Sequence, residues 1–126
     1  MCLSTVSDKK PPKSGYGWKC FWMRDGKMHG ICHGTFERGK WLRASKKRNH
    51  FPPRYRLGFH IHTKRKDAAT WIGCDSPSNY PLIKVKYRGA HTIGEQRTYL
   101  GYVSVIVADE IFIPRPKRKV RRAAKQ

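Results

Sequence analysis

The chain has 126 residues, enough for one domain with a modest core, and carries 28 Lys and Arg against 8 Asp and Glu. A net charge of +20 makes the chain repel itself unless an anion binds, so the composition predicts an anionic partner. Nucleic acid is the commonest partner of this kind. The alternatives are an anionic membrane surface and an acidic protein, the latter as the partner of a phage anti-defence or virion protein. Four Trp, six Tyr and five Phe supply apolar surface for a packed core, which excludes a simple disordered polycation.

Two features of the sequence bear on its compartment. It contains no apolar run long enough to span a membrane, and the segment from Met1 to Ser7 is too short and too polar for a signal peptide. The four cysteines form no CxxC pair, so we predict free thiols in a reducing, cytoplasmic compartment. These cysteines are Cys2, Cys20, Cys32 and Cys74.

The first part of the chain predicts a leader followed by strands. Residues 1–14 are charged and proline-containing, with little to bury, and predict a flexible leader. Residues 15–33 predict a β-hairpin, because Asp25-Gly26 suits the positive φ angles of a tight turn. Residues 40–44 predict a short third strand. Residues 45–56 are basic and contain two prolines, which predicts an exposed loop.

The middle of the chain predicts a strand that leads into a helix. Phe59, Ile61 and Thr63 alternate with His60 and His62, which is the pattern of a half-buried strand. The following apolar residues, from Ala68 to Ile72, have helical spacing, and Thr63 is a suitable N-cap.

The last part predicts strands over residues 82–88 and 102–108, the latter being the most hydrophobic run. In the first of these strands, Lys84, Lys86 and Arg88 form one wet, cationic face. Residues 89–101 predict a connection with room for a short strand, and Asp109-Glu110 predict a break before Ile111 to Ile113. The expected architecture is a strand-rich α+β domain over residues 15–114, with about five to seven strands and one short helix. Residues 115–126 hold seven basic side chains and predict a disordered tail.

Several short motifs recur in a fixed order along the chain. They are Gly17-Trp18-Lys19-Cys20-Phe21, Gly39-Lys40-Trp41, Gly58-Phe59-His60, Asp67-Ala68, the strand from Lys84 to Gly89, Gly94-Glu95-Gln96, and Val107-Ala108-Asp109-Glu110. This order resembles a group of small, mostly uncharacterised phage and bacterial proteins. The likeness spans roughly residues 15–113 and implies a phage-encoded protein in a bacterial cytoplasm, without implying an activity.

His33-Gly34-Thr35, Gly58-Phe59-His60 with Asp67-Ala68-Ala69, and the segment from Val103 to Ile113 follow one another in the chain. They resemble the HGT strand motif, the next strand and helix, and the closing strands of ADP-ribosyltransferase-like domains. This resemblance implies that His33 would hydrogen-bond the ribose of NAD and that Glu110 would steer the transfer. It keeps an enzyme acting on a nucleotide or nucleic acid as an alternative.

Six side chains are of the types that bind zinc, but their spacing matches no finger, ribbon or knuckle pattern. The same residues fit core thiols and hydrogen-bonded histidines, so we predict no resident metal. The six are His29, Cys32, His33, His60, His62 and Cys74.

A histidine pair near lysines is an arrangement that can act in acid–base catalysis on phosphate. His60 and His62 share one strand face, which makes them the catalytic candidates beside His33 and Glu110. The other interpretation, two solvent-facing histidines, is the one that we favour from the sequence.

Basic side chains interleaved with aromatic rings are the strongest functional signal, because such surfaces hold phosphates and stack bases. A helix beginning near Lys64 would add its own partial positive charge. The sequence therefore predicts a non-enzymatic nucleic-acid-binding protein, for RNA or DNA. The predicted contact residues are Lys46, Lys47, Arg48, Arg54, Arg56, Lys64, Arg65, Lys66, Trp41, Phe51, Tyr55, Lys117, Arg118, Lys119, Arg121 and Arg122.

Overall fold

The architecture is that of two antiparallel sheets and a short helix, seen in a computed structural model that describes residues 3–29, 35–44, 55–69, 80–98 and 101–116. Within these ranges there are nine strands and one helix, which confirms the prediction of a strand-rich α+β domain. Five of the nine strands are only two or three residues long. The elements are β1 (Thr5–Val6), β2 (Ser14–Cys20), β3 (Trp22–Arg24), β4 (Lys27–His29), β5 (Thr35–Phe36), β6 (Trp41–Arg43), β7 (Phe59–His62), α1 (Arg65–Ala69), β8 (Leu82–Thr98) and β9 (Gly101–Phe112).

Four strands of the larger sheet form a closed circuit. β8 pairs with β2, β2 with β7, β7 with β9, and β9 returns to β8. The 17-residue strand β8 makes this possible, because its first half pairs with β2 and most of its length pairs with β9. β1 adds to the far end of β8, and β6 adds to the far end of β9.

The main core lies between this circuit and the smaller sheet β3-β4-β5. The ring of Phe36 lies 5.4 Å from that of Phe21 and 5.8 Å from that of Phe59, so β5 contributes directly to the packing against β7. The circuit supplies the aliphatic side of this core. Its fully buried members include Ile61, Val85, Ile111 and Ile113.

A second apolar cluster covers the other face of β9. Val103, Val105 and Val107 pack there with Leu3 and Tyr55. Because Ile106 and Ala108 belong to the main core, both faces of this strand are covered. The hydrophobic run 102–108 is therefore a central strand, as predicted.

The segment for which we predicted a flexible leader contains a buried residue and a short paired strand. Leu3 is buried in the second cluster, and Thr5 and Val6 pair with Glu95 and Gly94 of β8. The segment contacts the rest of the domain through the buried Leu3 and through the pairing of Thr5 and Val6 with β8. The tail expected from residue 115 lies outside the described residues from position 117 onward.

The predicted turn at Asp25-Gly26 is present, but it belongs to a different hairpin. Both residues have positive φ angles, 53° and 72°, and the turn joins β3 to β4. The strand expected to run through residues 15–24 is divided at Phe21, whose side chain is fully buried. β2 consequently pairs with β7 and β8 instead of continuing into the hairpin.

The connection predicted over residues 89–101 is wrong up to Thr98, because β8 continues through it. A bulge between Ala90 and Thr92 absorbs the bend, and Gly89 adopts a positive φ of 67° beside it. At Gly94 a methyl group would collide with the carbonyl oxygen of Thr5. Gly89 therefore provides the positive φ beside the bulge of β8, and Gly94 allows the close approach of β1.

The predicted strand–helix unit is present as β7 and α1. The described helix has only five residues, Arg65–Ala69, and Ala68 is its buried side chain. Asp109-Glu110 do not break β9, which continues to Phe112.

Candidate functional site

A row of four side chains crosses four neighbouring strands on the outer face of the large sheet. Lys86 of β8 pairs with Tyr16 of β2 on one side and with Phe112 of β9 on the other. Phe112 in turn pairs with Trp41 of β6. Directly paired residues project from the same face, so the row covers three strand spacings, about 14 Å.

Tyr16 is the exposed aromatic ring of this row. Its side chain is 61% exposed, and the ammonium groups of Lys84 and Lys86 lie 5.3 and 5.8 Å from the ring centroid. Both lysines come from β8, on one flank of the ring. On the other flank β2 pairs with β7 only at Trp18, so no described strand covers Tyr16 there.

At the other end of the row an arginine covers the indole of Trp41. The guanidinium carbon of Arg88 lies 4.0 Å from the ring centroid of Trp41, and the opposite neighbour Phe112 lies 5.7 Å away. Arg88 donates two hydrogen bonds to Glu110, at 2.7 and 3.3 Å, and Arg43 lies 3.6 Å from the same carboxylate. Hydrogen bonding from Arg88 lowers the pKa of Glu110 and raises the pKa of Arg88 itself. The flat group offered to a ligand here is therefore the fixed guanidinium rather than the indole.

Trp18 extends the surface toward the helix. It pairs with Lys84, and the guanidinium of Arg65 in α1 lies 5.6 Å from its ring centroid. Lys64 and Lys66 are exposed on either side of Arg65. The structure describes α1 from Arg65 to Ala69, and the partial positive charge expected at its N-terminus stays a prediction.

We call these residues together the aromatic–cation strip. Its three cations, with Arg43 and Arg65 beside it, give five positive charges against the one negative charge of Glu110. The strip and these three neighbouring charged residues therefore carry a net charge of +4, next to rings that are half-buried or exposed. It consists of Tyr16, Trp18, Trp41, Lys84, Lys86, Arg88 and Phe112.

The predicted contact residues are only partly brought together by the structure. Trp41 belongs to the strip, and Arg65 lies beside it. Tyr55 is a correction: its ring is 3% exposed and packs in the second cluster, where a base has no access. Arg56 is committed to an ion pair with Asp109 at 2.7 Å. The other predicted contacts lie outside the described residues: Lys46, Lys47, Arg48, Phe51, Arg54, Lys117, Arg118, Lys119, Arg121 and Arg122.

The two candidate catalytic histidines are not solvent-facing, contrary to the prediction. His62 is 4% exposed, and His60 lies with its ring 6.2 Å from that of Tyr55 and its Nε2 3.4 Å from the Tyr55 hydroxyl. The ammonium of Lys19 donates a hydrogen bond to the carbonyl oxygen of His60 at 3.0 Å, and the Gln96 side chain also hydrogen-bonds His60.

Burial determines the protonation state of this pair. Loss of solvation, with Lys19 as the second cause, lowers the pKa of His60 to about 3 and that of His62 to about 4. Both rings are therefore neutral at pH 7. A histidine pair that serves phosphate chemistry needs one protonated member near neutral pH, and this pair does not supply it.

Glu110 and His60 have different sets of partners. Glu110 is held by Arg88 and Arg43, whereas His60 packs with Tyr55 and Gln96. His33, the third residue implied by the ADP-ribosyltransferase resemblance, lies outside the described residues. The described part of the chain thus provides no common site for His60 and Glu110.

One polar cluster that the sequence did not suggest surrounds Asp109 at the β8 bulge. Arg56 donates to one carboxylate oxygen at 2.7 Å, and His91 Nε2 lies 3.4 Å from the other. His91 Nδ1 lies 2.7 Å from the hydroxyl of Thr92. Burial lowers the pKa of His91, with Arg56 acting in the same direction and Asp109 opposing it. Arg56 thus binds Asp109 by a hydrogen-bonded ion pair, whereas His91 Nε2 lies near the other carboxylate oxygen without a hydrogen bond.

Sequence reasoning identified Lys84, Lys86 and Arg88 as a wet, cationic strand face but did not assign them to a site. It also missed Tyr16 and Phe112. The available signal was alternation: cations at every second position of residues 84–88 next to a strand carrying aromatic residues at every second position. Only the pairing of β8 with β2 shows that these cations and aromatic rings lie side by side.

Within the described ranges, no three His, Cys, Asp or Glu side chains are grouped closely enough to hold a metal ion. Cys32, His33 and Cys74 lie outside those ranges. Cys20 is a buried free thiol, and burial raises its pKa to about 11. A search of the same residues for a helix long and apolar enough to cross a membrane gives none. Comparison with protein-family models, curated proteins and solved structures gives no match.

Proposed function

We propose that this protein binds nucleic acid without catalysing a reaction on it, and that the aromatic–cation strip is the contact surface. Lys84, Lys86 and Arg88 contact phosphates, while neighbouring aromatic rings contact bases or sugars. The observation that carries this proposal is Tyr16, an exposed ring with two lysine ammonium groups within 6 Å on a strongly basic chain. Exposure alone does not single out this ring, since Tyr102 is similarly exposed; what distinguishes Tyr16 is the pair of lysine ammonium groups beside it.

The electrostatic surroundings support the same function. Glu110 is the acid among the strip and its adjoining cations, and it is bound by Arg88 and Arg43, so its charge is offset locally. The remaining cations face a ligand without a nearby carboxylate partner among their described contacts. Phosphate binding by such groups releases counterions and makes affinity fall with salt.

The test is binding of labelled RNA and DNA across a salt series. For a single strand, the slope of log affinity against log salt is about 0.7 per neutralised phosphate. The double variant Lys84→Ala, Lys86→Ala is therefore expected to reduce the slope by about 1.4.

The matched control is Lys9→Ala, Lys10→Ala, which removes the same charge from the exposed segment between β1 and β2. Equal effects of the two double variants would show that overall charge, rather than the strip, holds the polymer. A wild-type protein that binds neither RNA nor DNA at low salt would overturn the proposed function. Association with an acidic protein would then be the alternative.

A further inference from the structure

The Tyr16 ring can contribute to binding by stacking on a flat apolar group of a ligand. It stands on β2 with lysines on the β8 flank and no described strand on the other flank. Paired bases in a duplex are stacked on one another and expose only their edges in the grooves. Unpaired bases expose a π-face, which stacks on aromatic rings whatever the base.

The width of the surface also discriminates between ligands. The row from Tyr16 to Trp41 crosses four strands and extends about 14 Å, whereas the major groove of B-DNA is about 12 Å wide and admits a helix or a two-stranded ribbon. A four-stranded face cannot enter that groove. A duplex would therefore contact the cations through its phosphates and leave Tyr16 unused.

The cations of β8 form a regularly spaced line beside the ring. Lys84, Lys86 and Arg88 occupy alternate positions of one strand, so their Cα atoms are about 7 Å apart. Arg88 is held in place by Glu110 and by the Trp41 ring, which lowers the entropy lost when it binds. A line of cations with a ring at its side matches an extended strand, with phosphates along β8 and a base turned toward Tyr16.

We infer that the ligand is single-stranded nucleic acid with an unpaired base stacked on Tyr16. This inference rests on the proposed function and narrows it to one class of polymer. The two ends of the strip then differ in role, because Tyr16 offers the open stacking face and Arg88 offers a fixed guanidinium.

The experiment compares three labelled ligands: a 12-nucleotide single strand, its blunt duplex, and the same strand with abasic sites in place of its bases. The variants are Tyr16→Ala, which removes the ring, and Tyr16→Phe, which keeps it. Tyr102→Ala is the matched control, because Tyr102 is 59% exposed on β9 and outside the strip. Both positions are exposed, and thermal unfolding verifies that the three variants are folded.

The expected result is that Tyr16→Ala weakens binding of the single strand by about 5- to 150-fold and leaves duplex binding unchanged. Tyr16→Phe and Tyr102→Ala should bind like the wild type, and the abasic strand should bind about as weakly to the wild type as the normal strand binds to Tyr16→Ala. Equal wild-type affinity for the normal and abasic strands, or a Tyr16→Ala effect of the same size on duplex, would overturn the inference while the proposed function stands. Absence of binding to all three ligands would overturn both.

Discussion

Acid should destabilise this fold through the half-buried His60 and the buried His62, whose rings are neutral at pH 7. In the unfolded chain each histidine has a pKa of about 6.5. In the folded chain the pKa values are about 3 and about 4, because burial and Lys19 disfavour the charged form. As pH falls below about 6.5 the unfolded state binds protons that the folded state does not, so stability is lost from there down to the folded pKa values.

The size of the effect follows from these values. At pH 5.5 each ring contributes a loss of about 1.4 kcal/mol relative to neutral pH, so the pair contributes about 3 kcal/mol. At pH 4.5 the loss from the pair is about 5 kcal/mol, comparable with the whole stability of many small domains. His91, whose pKa is also lowered by burial, acts in the same direction.

Urea unfolding from pH 7.5 to 4.5 measures this loss. Because His60→Gln can destabilise the protein at every pH, the quantity to compare is the slope of unfolding free energy against pH. The variant should show a slope smaller by about 1.4 kcal/mol per pH unit. His29→Gln, on the three-stranded sheet, is the matched control for removal of a histidine at another site.

A direct measurement removes dependence on any variant. The ring proton signals of His60 and His62 in the wild type should show no titration between pH 7.5 and 5 in nuclear magnetic resonance spectra. Titration of both rings near pH 6.5, with no loss of stability, would refute the assignment of a buried neutral pair.

Two further predictions concern packing. Gly17→Ala should cost about 3 kcal/mol, because the new methyl group would overlap Ile61. Gly26→Ala, at an open turn position with φ of 72°, should cost only about 1 kcal/mol, and equal losses in urea unfolding would contradict the close approach at Gly17. Leu3→Ala should cost about 2 kcal/mol, whereas the exposed Val6→Ala should cost less than about 0.5 kcal/mol. If both variants lose a negligible amount of unfolding free energy, the burial of Leu3 does not stabilise the domain and the segment behaves as a flexible leader.

The fold was predictable from the sequence where the signal was local. The turn at Asp25-Gly26, the strand Phe59–His62 with its short helix, and the central strand β9 all depend on neighbouring residues. Prediction failed where distant pairing decides the structure. β1 pairs with β8 some 90 residues away, and Leu3 packs against Tyr55 and the valines of β9. The bend of β8 lies at Gly89 and the adjacent bulge, within residues that the sequence assigned to a connection.

The candidate site shows the same division. Dense runs of basic residues drew attention to residues 46–48 and 64–66, whereas the strip is assembled from four strands. Its members Tyr16 and Phe112 are nearly one hundred residues apart in sequence. Burial of Tyr55, His60 and His62 was also beyond sequence reasoning, because alternation within β7 gave no sign that both of its faces are covered.

The closed circuit of strands has a consequence for how the protein assembles. The β8–β9 hairpin joins neighbouring segments and closes a short loop, whereas β2 must return across more than sixty residues to reach β8. The row from Tyr16 to Trp41 needs both β2 and β6 in place, so a partly folded chain lacks it. A ligand that contacts the whole row therefore distinguishes the completed fold from its precursors and draws the chain toward completion by mass action.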